Sequence, residues 1–237
     1  MIKIAMTGEG PTDYGIKEYG EVSWGPAYWY ARKLLETCEA NIEFVFLDKH
    51  DVRNMRLQGR RKLTGMGAPA YKFYLLAKDR GCSAGIFYSD VDRETGKKNT
   101  PEEAEKRFRN RYNEICEGLK CAGDSEAYIP MLPLRMIENW QLADKNAIET
   151  AYEITLQDKD VPAKPEFVWG DENDPNSNHP KTLLRRIINS RVKRGNEVCR
   201  DKMVEVAQNS RPEVLKSKCS ISYGCFSVDI ERIKRLF

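Results

Sequence analysis

Three acidic side chains in two short stretches have the types and spacing to do chemistry together. Glu9 stands in Gly8-Glu9-Gly10-Pro11-Thr12-Asp13, and Asp90 and Asp92 stand in Ser89-Asp90-Val91-Asp92-Arg93. Carboxylate oxygens suit a hard cation such as Mg²⁺ or Mn²⁺, which keeps several of its waters. Two carboxylates at i and i+2 just past a strand can both face a site, because the chain is leaving the sheet there. A third from a neighbouring strand completes one side and leaves the other for a phosphate. A cation so held polarises a phosphoryl oxygen and lowers the pKa of a bound water. Taken singly, an Asp-x-Asp is common and a glutamate among glycines can be only a turn. Their shared position, at the ends of predicted strands, favours the metal reading.

The elements that would position them follow from periodicity. Ile2, Ile4 and Met6 alternate with Lys3 and Ala5, a strand that ends at the Glu9 loop. A polar link broken by glycine runs through Gly20. Trp24–Cys38 repeats apolar residues at helical spacing. The nearly continuous Asn41–Leu47 reads as a strand buried on both faces. Ala68–Arg80 is a helix, Ala84–Tyr88 the strand that ends at Asp90, and Ala127–Leu132 a fourth strand. Pro101–Cys121 is the clearest helix, with Thr100 as N-cap, Pro101 at the first helical position and Glu102 and Glu103 at the positive helix end. Strands alternating with helices predict an α/β fold, with a mostly parallel central sheet flanked by helices and a helical C-terminal part. Ligands bind such sheets at the carboxyl ends of the strands.

Leu134–Tyr152 reads as one helix, with Met136, Ile137, Trp140, Ala143, Ala147, Ile148 and Ala151 along a side. Gln157–Pro180 holds four prolines and the acidic run Asp171–Asp174, and is irregular. Lys181–Gln208 is helical, with a break near Gly195, and Ser227–Phe237 is a short closing helix. The expected division is an α/β domain over 1–152, with an irregular segment and a basic helical region over 153–237 packed on it.

The chain has 237 residues, 41% hydrophobic and 32% charged, enough for a real core. No apolar run approaches the roughly 20 residues of a membrane span. The N-terminus enters strand pattern without signal-peptide features, so a cytoplasmic protein with no membrane partner is expected. Seven cysteines without a Cys-x-x-Cys pair, beside only two histidines, read as reduced thiols rather than a zinc site.

The net charge of +3 is uninformative, but its distribution is not. His50–Gly67 carries Arg53, Arg56, Arg60, Arg61 and Lys62 with almost no acids. A basic run of this kind is either a solvated loop or an arm that contacts phosphates. Lys181–Gln208 is similarly rich, with Lys181, Arg185 and Arg186 at its start. Arg93, beside the Asp-x-Asp, clamps a phosphate or pairs with Asp92. Glu138 lies near the start of its helix, either as a favourable charge at a helix N-terminus or as a metal ligand. Trp140 reads as core, and Asp144 as a surface carboxylate or an N-cap.

The Gly8–Asp13 stretch followed by Asp90-Val91-Asp92 resembles the TOPRIM arrangement shared by topoisomerases, primases, RNase M5-type maturases and OLD (overcoming lysogenization defect) nucleases. Arg135-Met136-Ile137-Glu138-Asn139-Trp140-Gln141-Leu142-Ala143-Asp144, then His179-Pro180-Lys181, resembles a bacterial TOPRIM-like family related to the OLD nucleases. The resemblance implies that Glu9, Asp90 and Asp92 surround divalent metal, with Glu138 as a further ligand. Asp13, which stands where many relatives have Glu, is a further candidate metal ligand. The resemblance also implies that Lys181 assists cleavage. No topoisomerase tyrosine can be placed. OLD-type enzymes are joined to an ATPase, and this sequence has no GxxxxGK[ST] loop, so a separate OLD- or SMC-like ATPase subunit is the implied partner and antiphage defence the implied setting.

Three functions compete. The first is a Mg²⁺- or Mn²⁺-dependent nuclease that hydrolyses DNA phosphodiester bonds, its basic segments tracking the backbone without reading sequence. The second is a non-catalytic TOPRIM-like subunit that binds or regulates an ATPase. The third is another Asp-x-Asp enzyme, such as a nucleotide-sugar transferase or a phosphohydrolase, which leaves Glu9 and the Glu138 block unexplained.

Overall fold

The computed structural model describes residues 1–36, 38, 41–56, 63–91, 100–123, 126–191 and 198–237. Four strands, β1 (Ile2–Thr7), β4 (Ile42–Phe46), β5 (Ala84–Tyr88) and β6 (Tyr128–Met131), form an all-parallel sheet in the order β4-β1-β5-β6. Helices cover both faces, so the α/β architecture with a helical C-terminal part is as expected. No helix among the described residues is long and apolar enough to cross a membrane.

Side-chain alternation divides the core. Ile4, Met6, Ile86, Tyr88, Ile129 and Met131 point to one face, where they meet α1 (Pro26–Leu35), α5 (Ile137–Gln141) and three C-terminal helices. These are α8 (Arg200–Asn209), α9 (Pro212–Lys218) and α10 (Ser222–Lys234). Ala5, Phe87 and Tyr128 point to the other, against α3 (Gly67–Asp79) and α4 (Pro101–Ala122). The C-terminal helices thus share one core with β1, β5 and β6. A third cluster joins α6 (Lys145–Tyr152), α7 (Pro180–Asn189) and α8.

Local signals explain where elements begin. Thr100 Oγ1 accepts the Glu103 amide at 3.3 Å, capping α4 as its sequence requires. Proline opens α1, α7 and α9 as well, where its missing N–H costs nothing.

Several expectations need correction. The link after Glu9 is a hairpin, β2 (Gly15–Glu18) with β3 (Glu21–Trp24), turned at Tyr19 and Gly20 with φ of 51° and 90°. Two successive positive φ values give the turn the twist that antiparallel strands need. Trp24 therefore ends a strand instead of opening α1. All five β4 residues are partly exposed, because β4 is a sheet edge. Aromatic rings cover it: Tyr14 stacks on Phe46 at 4.6 Å, and Tyr28 meets Phe44 edge-on at 4.8 Å. The basic segment begins as a short helix, α2 (Lys49–Asn54), capped by Asp48. The helix expected over 134–152 breaks into α5 and α6, because the Asp144 carboxylate accepts the Asn146 amide at 3.2 Å and starts a new helix. Two short 3₁₀ turns, Asp158–Asp160 and Pro165–Phe167, punctuate the irregular segment. α10 starts five residues earlier than the closing helix was expected to.

Candidate active site

The topology locates the site. From β1 the chain moves to β4 on one side and then crosses to β5 on the other, so the crevice at the carboxyl ends of β1 and β5 is the switch point of the sheet. The Gly8–Asp13 loop leaves β1 there, and Asp90 follows β5 by two residues. Gly8 crosses directly over the Tyr88 ring: a Cβ at Gly8 would lie 2.5 Å from Tyr88 Cδ1 and 2.9 Å from Tyr14 Cβ. The loop is then tied to α1, where the Ala27 amide donates to the Asp13 carbonyl at 2.9 Å and the Gly25 amide to that of Tyr14 at 3.0 Å.

Tyr88, the last residue of β5, is fully buried and is the centre of the arrangement. Its hydroxyl donates to Asp90 Oδ1 at 2.6 Å and stands 3.3 Å from Asp13 Oδ2. A phenol has one proton, and the shorter contact takes it. Burial first, then the charges of Asp90, Asp13 and Glu138, hold this phenol well above its ordinary pKa, so it remains a donor. The sequence reading missed Tyr88, since a tyrosine ending an apolar strand reads as core. Its place two residues before Asp90 was the available signal.

Lys181 enters from the first turn of α7 and is exposed. Desolvation pulls its ammonium down, yet Glu138, Asp13, Glu172 and Asp90 together hold it above its ordinary pKa. Asp13, Asp90 and Glu138 thus act on the same two groups, Tyr88 and Lys181, although they come from a loop, a strand end and a helix. Three predicted acids and the predicted lysine are brought together.

Glu138 is buried in the first turn of α5, a helix of five residues fixed by its neighbours. Asn139 Nδ2 donates to the carbonyls of Pro165 and Val168 at 2.6 and 3.1 Å. Trp140 Nε1 donates to Ser222 Oγ at 2.8 Å, and Gln141 Nε2 to the Met203 carbonyl at 3.2 Å. Ser222 is held in turn by Glu166, which accepts its amide and its hydroxyl. Asp144 takes Arg211 Nε at 2.9 Å and Nη2 at 2.7 Å. Trp140 is core, as read, while Asp144 is a buried cap and ion-pair partner rather than a surface carboxylate. Arg135, fully buried, lies 5.3 Å from the centre of the Trp169 ring, whose other neighbour is His179 at 4.9 Å. Burial lowers the His179 pKa and favours the neutral ring.

Glu9 is not among the carboxylates that act most strongly on Lys181 or Tyr88. It is partly buried and lines a cleft of about 100 Å³ with Lys49 and Arg53 of α2, which Tyr88 also borders. Arg56 is exposed just beyond α2. Arg185 is exposed one helical turn from Lys181, on the same side of α7. Arg186 points elsewhere and braces the preceding loop, donating to the Ser177 carbonyl at 2.9 Å and Asn178 Oδ1 at 3.0 Å. Asp92, Arg93, Arg60, Arg61 and Lys62 lie outside the described residues. Among the described residues, no three His, Cys, Asp or Glu side chains are disposed as a metal-holding group.

Comparison of the chain with family models, curated proteins and solved structures gave no match.

Proposed function

We propose that this chain is a divalent-cation-dependent phosphodiesterase that cleaves DNA, with Asp13, Asp90, Glu138 and Lys181 at its centre. The observation that carries the reading is the gathering of three carboxylates and one ammonium, from four separate elements, at the switch point of a parallel sheet. A hard cation beside a phosphate calls for carboxylates gathered in this way.

The donor set fits Mg²⁺ or Mn²⁺ in type. All the candidate ligands are carboxylate oxygens, and Asp13 and Asp90 flank one hydroxyl. Mg²⁺ needs only one or two carboxylates when water and substrate phosphate fill its other positions. Asp13 and Asp90 would hold the ion, with Glu138, Asp92 and Glu9 as further candidates. A bound cation would polarise the phosphoryl oxygen and lower the pKa of a coordinated water. Tyr88 fixes the Asp90 carboxylate through its 2.6 Å bond. Lys181, kept charged by its acidic neighbours, balances negative charge developing on the phosphate. Arg185 beside it, and Lys49, Arg53 and Arg56 across the loop, offer cations to flanking phosphates without reading bases. The TOPRIM resemblance points the same way, and a separate ATPase subunit in an antiphage system is the partner it implies.

The test is cleavage of plasmid and linear DNA with Mg²⁺, with Mn²⁺ and with chelator, beside Asp90→Asn, Glu138→Gln and Lys181→Met proteins shown to be folded by circular dichroism. Cation-dependent cleavage that is lost in all three variants supports the assignment. Cleavage persisting in Asp90→Asn and Glu138→Gln overturns it, as does a folded wild type that cuts nothing under any of these conditions.

A further inference from the structure

The amino end of the sheet carries a feature of opposite sign. Two adjoining hollows of about 460 and 280 Å³ open where β5 and β6 begin, and both are bordered by Glu126, Tyr128, Arg232 and Arg235. Lys120 lines the larger and Lys78 the smaller. The described lining thus holds four cations against one carboxylate.

Each cation taken alone has an ordinary explanation. Lys78, Lys120 and Arg232 sit in the last turns of α3, α4 and α10, and Arg235 caps α10, positions where a positive charge complements the helix dipole. That account does not explain why three separate helix ends converge on two adjoining hollows and leave their side chains lining them. Lys78, Lys120 and Arg235 are exposed, so their charges are available to a ligand. The Lys78 ammonium lies 5.6 Å from the ring centres of both Tyr74 and Tyr128, a placement that steadies it without neutralising it. Arg232 is anchored at 2.7 Å by Asp229, which also accepts the Tyr112 hydroxyl at 2.8 Å. Its buried Nε has no hydrogen-bond partner among the described residues. Tyr128 and Leu119 lie beneath the larger hollow and are each only 2% exposed.

We propose that this trough binds a small polyphosphate-bearing ligand, such as a nucleoside triphosphate. Its phosphates would lie among Lys78, Lys120, Arg232 and Arg235. Parallel strands place the trough at the opposite end of the sheet from Asp90, so it is a second site and does not depend on the phosphodiesterase reading.

Calorimetric titration of the full chain with adenosine triphosphate, in chelator so that the carboxylate site takes no part, tests this. The expected result is one-to-one binding that weakens as salt rises. Lys120→Ala and Arg235→Ala should each weaken it about tenfold, the loss typical of one charge-assisted contact. Lys216→Ala, exposed on α9 and outside the lining of both hollows, should leave it unchanged, as should Asp90→Asn. Both trough residues are exposed, so their removal spares the core. Absence of binding, equal weakening by Lys216→Ala, or loss in Asp90→Asn would overturn the proposal.

Discussion

Two polar regions meet at α5, and they differ in how their charges are arranged. On one side Asn139, Trp140, Gln141 and Asp144 each meet a complementary group from a distant segment, donor to acceptor or carboxylate to guanidinium. On the other, Glu138 joins Asp13 and Asp90, carboxylates set together around a phenol and an ammonium. The paired region specifies how 165–168, α8, α9 and α10 dock, because a buried polar group left unsatisfied is costly. The like-charged region sets its carboxylates together on Tyr88 and Lys181, and Asp90 takes the Tyr88 hydroxyl.

That contrast can be broken or sharpened by substitution. The largest expected effect is on rate: Asp90→Asn should lower DNA cleavage by about a hundredfold or more. Its unfolding free energy should change by less than about 1 kcal/mol, because the amide still accepts from Tyr88. A large loss of stability in that variant would place Asp90 with the paired region. Asp144→Ala should do the reverse, costing about 2–3 kcal/mol in urea unfolding through the lost cap and ion pair. That figure allows for Arg211, whose side chain is 47% exposed while that of Asp144 is wholly buried. Tyr88→Phe should fall between them. The lost hydroxyl costs about 1 kcal/mol of stability and slows cleavage about tenfold by removing one bond that orients Asp90.

The smallest effects are on pH dependence, and their signs differ. Desolvation pushes the Asp144 carboxyl up, but the Arg211 side-chain and backbone bonds bring it below its ordinary value. Its contribution is present above the usual aspartate range and is lost as pH falls through the lowered value. Burial pushes Glu166 the other way, above its ordinary 4.5, and the bonds from Ser222 and Ile221 only partly offset this. Its contribution therefore declines as pH rises from about 4.5 through the raised value. Urea midpoints across pH for Asp144→Asn and Glu166→Gln, each against wild type, should show these opposite slopes.

Much of this architecture was legible in the sequence, and the misses have physical causes. β1, β5 and α4 follow from local pattern and caps, which need no distant partner. The hairpin escaped notice because Tyr19 occupies a positive-φ turn position where Asn or Gly is the usual sign. The break at Asp144 was hidden by an apolar stripe that runs on from Trp140 to Ala147 and Ile148. Neighbours in a helix face sides about 100° apart, so a run of arginines could not reveal that Arg185 is exposed while Arg186 braces a loop. The acids and Lys181 stood out by type and position. Glu9, the first to stand out, lines the cleft between α2 and Tyr88.

The most direct test of the central claim is Mn²⁺ titration of the chain, followed by electron paramagnetic resonance of the free ion. The account predicts saturable binding by the wild type that Asp90→Asn and Asp13→Asn each weaken about tenfold or more, while Asp144→Asn, if folded, leaves it intact. Binding indifferent to Asp13 and Asp90, or no binding at all, would contradict it.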